Sequence, residues 1–300
     1  MSTLQRIKYL EPPSIEQAID LLIKHESSAL LAGGTDLLVK MRDGKAAPAV
    51  LVSLTGIPEL NSIGYEDGFL KIGAMVTHSD IERSALIQRD FGLLAEAARQ
   101  IGSRQIRNVA TIGGNLCNAA PSADTATPLL ALNASVKLVG PQGERIVPLE
   151  SFFTGPMRTV LERGEIMAEI RVPRLPSGSG GAFTKHSVRR AMDLAIVSAS
   201  AVVILDSSKG TCSDVRIAMG VAGPTPARAR RAESLARGRK PDSRLAEEVG
   251  IAAAEEAKPR SSFRASAEYR REVLKVLVKR VFSKAAQRAM ASSVALGGSI

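Results

Sequence analysis

The spacing of apolar residues changes period several times along the chain. Ile15, Ala18, Ile19, Leu22 and Ile23 fall at i, i+3, i+4, i+7 and i+8, the stripe of a one-sided helix, and Ser14-Ile15-Glu16-Gln17 has the form of a capping box at its start. The short run Ala29-Leu30-Leu31 then stops at a glycine pair, and residues 49–54 read as a buried strand. Residues 1 to about 55 are therefore expected to form a small α/β unit. A further strand is predicted at 70–74, a second capping box at Ser79 to Glu82 ahead of Ile81, Ala85 and Leu86, and a one-faced helix from Leu93 to Ile101 that stops at Gly102.

Between residues 134 and 173 the signals become those of strands: 136–139, a Pro-Gln-Gly turn, 145–147 and 165–172, together a mostly antiparallel sheet. The stretch 177–181 (SGSGG) reads as the most flexible in the chain and is placed as a domain boundary. Beyond it three strands are predicted at 182–187, 197–206 and 214–222, then helices near 226–237, 242–257 and 266–290. The last helix carries Tyr269, Val273, Val276, Leu277 and Val281 on one face. The expected division is 1–176, with subdomains of about 1–55 and 56–176, followed by 182–290.

A chain of 300 residues with 45% apolar content is long enough for about two domains with real cores. No stretch approaches the ~20 apolar residues of a membrane span, and the start, MSTLQRIKYLEPPS, has no apolar leader region, so a cytoplasmic location is expected. Cys117 and Cys212 are the only cysteines, too few for an iron–sulfur cluster or a zinc site of the chain's own. Any metal redox centre must lie on a partner. The net charge of +10 comes with only 3% aromatic residues and no Trp, which argues against a nucleic-acid surface built on stacking. The surplus suits an acidic partner or an anionic cofactor instead. The basic run from Arg228 to Arg244 reads as a solvated helix start, and His25, His78 and His186, which lack metal-ligand spacing, as surface or locally bonded groups.

Two glycine pairs carry the candidate chemistry: Ala32-Gly33-Gly34-Thr35-Asp36 and Thr111-Ile112-Gly113-Gly114-Asn115. Each follows apolar residues and is flanked by short polar ones. Paired glycines accept positive φ and let a ligand approach the main chain, which makes a nest of N–H groups for an anion. Charge-assisted hydrogen bonds contribute roughly 1.5–3 kcal/mol each, so two such nests are expected to hold a pyrophosphate without any lysine. A plain turn or helix cap is the competing reading of either pair. No G-x-G-x-x-G opens a helix after a strand, so a Rossmann sheet is not indicated.

Taken together, AGGTDLL, IGAMVTHSDI, the long segment IGSRQIRNVATIGGNLCNAAPSADTATPLLALNA, FFTGP, GEIMAEIRVP and FTKHSVRRAMDLAIVSASAVV resemble the FAD-binding subunit of molybdenum hydroxylases, almost end to end. The resemblance is to the carbon monoxide dehydrogenase medium subunit and the xanthine dehydrogenase flavin domain. It implies an α+β fold of the vanillyl-alcohol-oxidase type, a small α/β subdomain plus an α+β subdomain, followed by a C-terminal three-stranded sheet with helices. It also implies FAD in this chain, and a molybdopterin large subunit and a small subunit with two 2Fe–2S clusters as partners, in a dimer of heterotrimers. Electrons would pass between those clusters and NAD, a quinone or oxygen, a task suited to flavin because it exchanges electrons singly or in pairs. No catalytic residue is required of this chain for the substrate step.

By the same resemblance, Leu30, Leu31, Ala32, Gly33, Gly34, Thr35, Asp36 and Leu37, with Ala110, Thr111, Ile112, Gly113, Gly114 and Asn115, hold the FAD pyrophosphate. Thr35, Thr111 and Asn118 serve as supporting donors, and Asp124 holds a ribose or other hydroxyl. Read alone, Asp124 is a helix N-cap. Ile101, Met167 and Lys185 match cofactor-contacting positions but alone read as core residues and a solvated lysine. No His or Cys is placed for an obvious covalent flavin linkage. The chain departs from the carbon monoxide dehydrogenase type at Leu194, where that type has a tyrosine over the flavin, and it lacks the cysteine-rich insertion of the hydroxybenzoyl-CoA reductase type. The alternatives are a self-contained flavin enzyme resembling UDP-N-acetylenolpyruvoylglucosamine reductase, for which no Ser, Glu and Arg set is found, and a non-catalytic nucleotide-binding scaffold.

Overall fold

The computed structural model describes residues 7–297, so the first six residues of the segment read for a leader lie outside it. The chain opens with a parallel sheet in the order β1-β3-β2, formed by β1 (Lys8–Leu10), β2 (Ser28–Leu31) and β3 (Val50–Ser53). The crossover is α1 (Ile15–Lys24), where the Ser14 side chain accepts from the Gln17 amide and Ile15, Ala18 and Ile19 bury in one core with Val50 and Val52. After β2 the first glycine pair turns the chain into α2 (Leu37–Arg42).

A five-stranded antiparallel sheet follows, built from β4 (Ile63–Glu66), β5 (Phe69–Gly73), β6 (Ser135–Gly140), β7 (Gly143–Pro148) and a later strand. Between β5 and β6 lie six short helices: α3 (His78–Arg83), α4 (Ala85–Asp90), α5 (Gly92–Ala98), α6 (Arg104–Arg107), α7 (Ile112–Cys117) and α8 (Ala126–Ala131). The cap of α3 is Thr77, in a reciprocal box with Asp80, and not Ser79. Past β7 come α9 (Leu149–Phe152), a ribbon of β8 (Phe153–Gly155) and β9 (Arg158–Thr159), and then β10 (Ile166–Pro173), which inserts at the centre to give the order β4-β5-β10-β6-β7. Its register against β6 shifts between Met167 and Glu169, a bulge that re-aims the strand beside the cavity described below.

The C-terminal sheet contains the three expected strands, β11 (Ser179–His186), β12 (Val197–Asp206) and β13 (Thr211–Gly220), plus a two-residue β14 (Ala227–Arg228). It packs under α10 (Arg230–Ala236), α11 (Ser243–Glu256) and α12 (Ala267–Gly297). On β12, Val197, Ala199, Ala201 and Val203 join the core under these helices, while Val202 and Ile204 join the core of the five-stranded sheet. Burial on both faces explains why this strand reads as a continuous apolar run and not an alternating one.

The structure refines three expectations here, for identifiable reasons. Gly180 and Gly181 do not form a flexible linker: they lie within β11, and a Cβ on Gly180 would sit 2.2 Å from the Ala285 carbonyl oxygen of α12. The glycines permit close packing. On α12 the buried face runs through Leu274, Leu277, Val278, Val281 and Phe282, leaving Tyr269 and Val276 exposed. Finally, the basic residues of the run from Arg228 to Arg244 are exposed except the first. Arg228 forms a buried ion pair with Glu233 and donates to Asn133 Oδ1 at 2.5 Å, stapling the C-terminal layer to the end of α8, and Arg230 and Arg231 pair with Glu150 and Glu255. No helix among the described residues is long and apolar enough to cross a membrane.

Candidate functional site

A cavity of about 530 Å³ opens where the end of β2, the bulged start of β10, the α6–α7 region and the loop after β11 converge. The first glycine pair forms one wall. Gly34 has φ +70°, in the left-handed region where a glycine is favoured, and the amides of Gly33, Gly34, Thr35 and Asp36 have no protein acceptor among the described residues. This turn is an open nest.

The second pair differs from expectation. Neither Gly113 nor Gly114 has positive φ; they form the first turn of α7, and their amides are already engaged. Ile112 N donates to Val76 O at 3.0 Å, Gly113 N to Ala74 O at 2.9 Å, Gly114 N to Thr111 Oγ1 at 3.1 Å and Asn115 N to Thr111 O at 3.0 Å. The glycines serve proximity: a Cβ on Gly113 would lie 2.6 Å from Ala74 O, and one on Gly33 1.9 Å from Val109 O. The two segments thus pack directly against each other, and only one offers free amides.

Asp124 is 7% exposed and is not a cap, since α8 takes Thr125 as its N-cap residue. Its Oδ2 accepts from Lys185 Nζ at 2.7 Å, while its Oδ1 is buried without a hydrogen-bond partner. Burial pushes the carboxyl up to about 6, and the Lys185 ammonium offsets only part of that effect. Lys185 also donates to Gln100 O at 3.2 Å. Its side chain is 3% exposed, which removes the solvated-lysine reading.

Leu30, Ala32, Leu37, Ile101, Ala110 and Met167 line the cavity with the open nest, Thr111, Gly113, Gly114, Asn115, Asn118 and Asp124. Leu31, Ile112 and Lys185 do not: Ile112 is wholly buried in the core, and Lys185 stands behind Asp124. Three polar side chains beside the cavity are fixed in place by hydrogen bonds that they accept, which leaves their own donors free. Thr111 caps α7, Asn115 Oδ1 accepts from Thr125 Oγ1 at 2.6 Å, and Asn118 Oδ1 accepts from Lys40 Nζ at 2.7 Å.

Sequence reasoning missed Lys40, His78 and Asp193 as lining residues. Lys40 lies one helical turn after Asp36, so helical spacing from the glycine pair was the available signal. His78 is 1% exposed, not on the surface, and its Nδ1 has no partner; burial, with Arg107 nearby, pushes it down to about 4, so it is neutral at neutral pH. Asp193 fastens the loop over the cavity by accepting from the amides of Arg189 at 2.9 Å and Leu194 at 3.0 Å, and Met192 N donates to Gly102 O at 3.0 Å. Cys117 also lines the cavity, and burial pushes its thiol up to about 12 and keeps it protonated. Among the described residues no group of three or more metal-ligating side chains assembles.

Free backbone amides in a glycine turn, an apolar wall and a buried carboxylate with one unpartnered oxygen define a protein built to hold a nucleotide-type cofactor. Residues 5–175 match the family described as the FAD binding domain in molybdopterin dehydrogenase, and residues 182–285 match the CO dehydrogenase flavoprotein C-terminal domain. The chain belongs to this family of flavoprotein subunits. It is 37% identical to the xanthine dehydrogenase FAD-binding subunit of Escherichia coli O157:H7, over 92% of this chain and 95% of that one. It is 36% identical to the carbon monoxide dehydrogenase medium chain of Hydrogenophaga pseudoflava, over 93% and 97%. The solved carbon monoxide dehydrogenase from Hydrogenophaga pseudoflava superposes with a TM-score of 0.90 at 36% identity, covering 94% of this chain and 98% of that one.

Proposed function

We propose that this chain is the FAD-carrying electron-transfer subunit of a cytoplasmic molybdenum hydroxylase or dehydrogenase. In this reading it relays electrons between the 2Fe–2S clusters of a small partner subunit and an external acceptor, while a molybdopterin subunit acts on the substrate. The observation that carries the reading is the cavity, in which the open amides at Gly33–Asp36 suit phosphate oxygens and the unpartnered Asp124 Oδ1 suits a hydroxyl donor. Bound FAD would supply exchange of one or two electrons. The chain's own residues bind and orient it: the nest holds the pyrophosphate, Asp124, fixed by Lys185, accepts from a hydroxyl of the cofactor, and Ile101 and Met167 pack on its apolar portions. The Met192–Leu194 loop limits water at the mouth. Residues 1–176 would carry most of these contacts, with 182–290 supplying Lys185 and the loop. The relatives' names support the assembly: one is called a medium chain and another a FAD-binding subunit.

Purified protein is expected to contain one FAD per chain, released intact by acid precipitation, because the Cys117 thiol is protonated and His78 is buried. Spectra of supernatant and pellet decide the matter. Flavin that stays with the pellet contradicts non-covalent binding, and a colourless protein that takes up no FAD contradicts the reading itself.

A further inference from the structure

The engaged amides of the second glycine pair leave an electrostatic gap. A pyrophosphate carries about two negative charges, and of the two glycine segments only the Gly33–Asp36 turn presents free N–H groups to it. Among the described residues lining the cavity there is one lysine or arginine, Lys40, and it makes no salt bridge. Its Nζ is instead fixed 2.7 Å from Asn118 Oδ1. The anchoring is local to both glycine segments: Lys40 N donates to Asp36 O just past the first pair, and Asn118 N donates to Gly114 O in the second. The ammonium therefore bridges the two segments and still has two N–H donors to give. Three carboxylates, Asp36, Asp124 and Asp193, also line the cavity, so an anionic ligand needs a cation to offset them.

Building on the FAD reading, we propose that Lys40 is the counter-cation of the cofactor's pyrophosphate and that Asn118 is a positioning residue that aims it and does not itself contact the cofactor. A lysine held by a neutral amide, and not by a carboxylate, keeps its full charge available to the ligand. This assigns a cation to a site whose backbone alone had been expected to suffice, and it gives Asn118 a different task from that of a direct donor.

The test is titration of the flavin-free full chain with FAD, ADP and riboflavin, each at low and high salt, for wild type, Lys40→Met, Lys40→Gln, Lys40→Arg and Asn118→Leu. Lys40→Met and Lys40→Gln should weaken FAD and ADP by roughly tenfold or more and flatten the salt dependence of their Kd, with riboflavin, which has no phosphate, unchanged. Lys40→Arg should keep most of the affinity, and Asn118→Leu should lose a smaller factor on the phosphate ligands alone. Because Lys40 is partly exposed, melting temperature should change little, and the Gln and Arg pair answers the question if the Met variant does not fold. Wild-type FAD affinity and salt slope in Lys40→Gln overturn the proposal, as does an equal loss for riboflavin, which marks Lys40 as a purely structural latch. A wild-type chain that binds neither FAD nor ADP refutes the cofactor reading as well.

Discussion

Gly33→Ala is expected to abolish flavin retention and to lower stability by roughly 3 kcal/mol, the upper end for overpacking, because the new Cβ would sit 1.9 Å from the backbone oxygen of Val109. Nothing flexible lies in its way to yield. The turn carrying the free amides must move off the α6–α7 connection, which opens the cavity at the place where phosphate would bind. Gly114→Ala is the control: its nearest neighbour is the Thr111 hydroxyl at 2.9 Å, and its φ is not positive, so its effect on folding should be smaller. Flavin content measured against melting temperature for both variants checks this. Equal behaviour of the two would show that the packing of Gly33 on Val109 does not control the site.

Lys185→Met is expected to cost about 3 kcal/mol near about pH 8, the low end of the usual penalty for leaving a buried charge without its partner. Asp124 is the charge left behind. Its carboxyl already lies above the ordinary 3.8, at about 6, and loss of Lys185 raises it further. A carboxyl whose folded-state pKa is raised destabilises the folded protein fully at pH above that value, and the penalty fades as pH falls and the group protonates. The deficit of Lys185→Met should therefore be largest near about pH 8 and shrink toward about pH 5. Adding Asp124→Asn should recover most of it by removing the anion. Melting curves across that range test the pair; a deficit independent of pH would mean that lost packing, not the stranded carboxylate, sets the cost.

The elements were legible where local pattern decides them. The one-sided stripe of α1, the β12 run and the turn before Gly143 are each set by neighbours in sequence. What stayed hidden depended on distant partners. The two glycine pairs look alike in sequence, yet the Val76 and Ala74 carbonyls, just past β5, take the Ile112 and Gly113 amides and Thr111 takes that of Gly114, while no acceptor takes the amides of the first pair. Gly180 and Gly181 have the composition of a linker, and only the approach of α12 and of Leu93 shows why glycine is needed there. Lys40 stands at helical spacing from Asp36, but its role rests on Asn118, brought close by folding. Asp124 gave a local signal for a cap, and it is Lys185 on β11 that turns it into part of the cavity wall.

The central claim is that electrons reach this chain across an interface. Its only cysteines, Cys117 and Cys212, are both free and have thiols pushed up by burial. The most direct measurement is anaerobic flavin reduction by the organic substrate, followed spectroscopically for the purified chain alone and for the chain reconstituted with the proposed iron–sulfur and molybdopterin partner subunits. The flavin is expected to bleach only in the complete assembly. Turnover of an organic substrate by the single chain, with no molybdenum or iron present, would contradict the account and favour a self-contained flavin reductase.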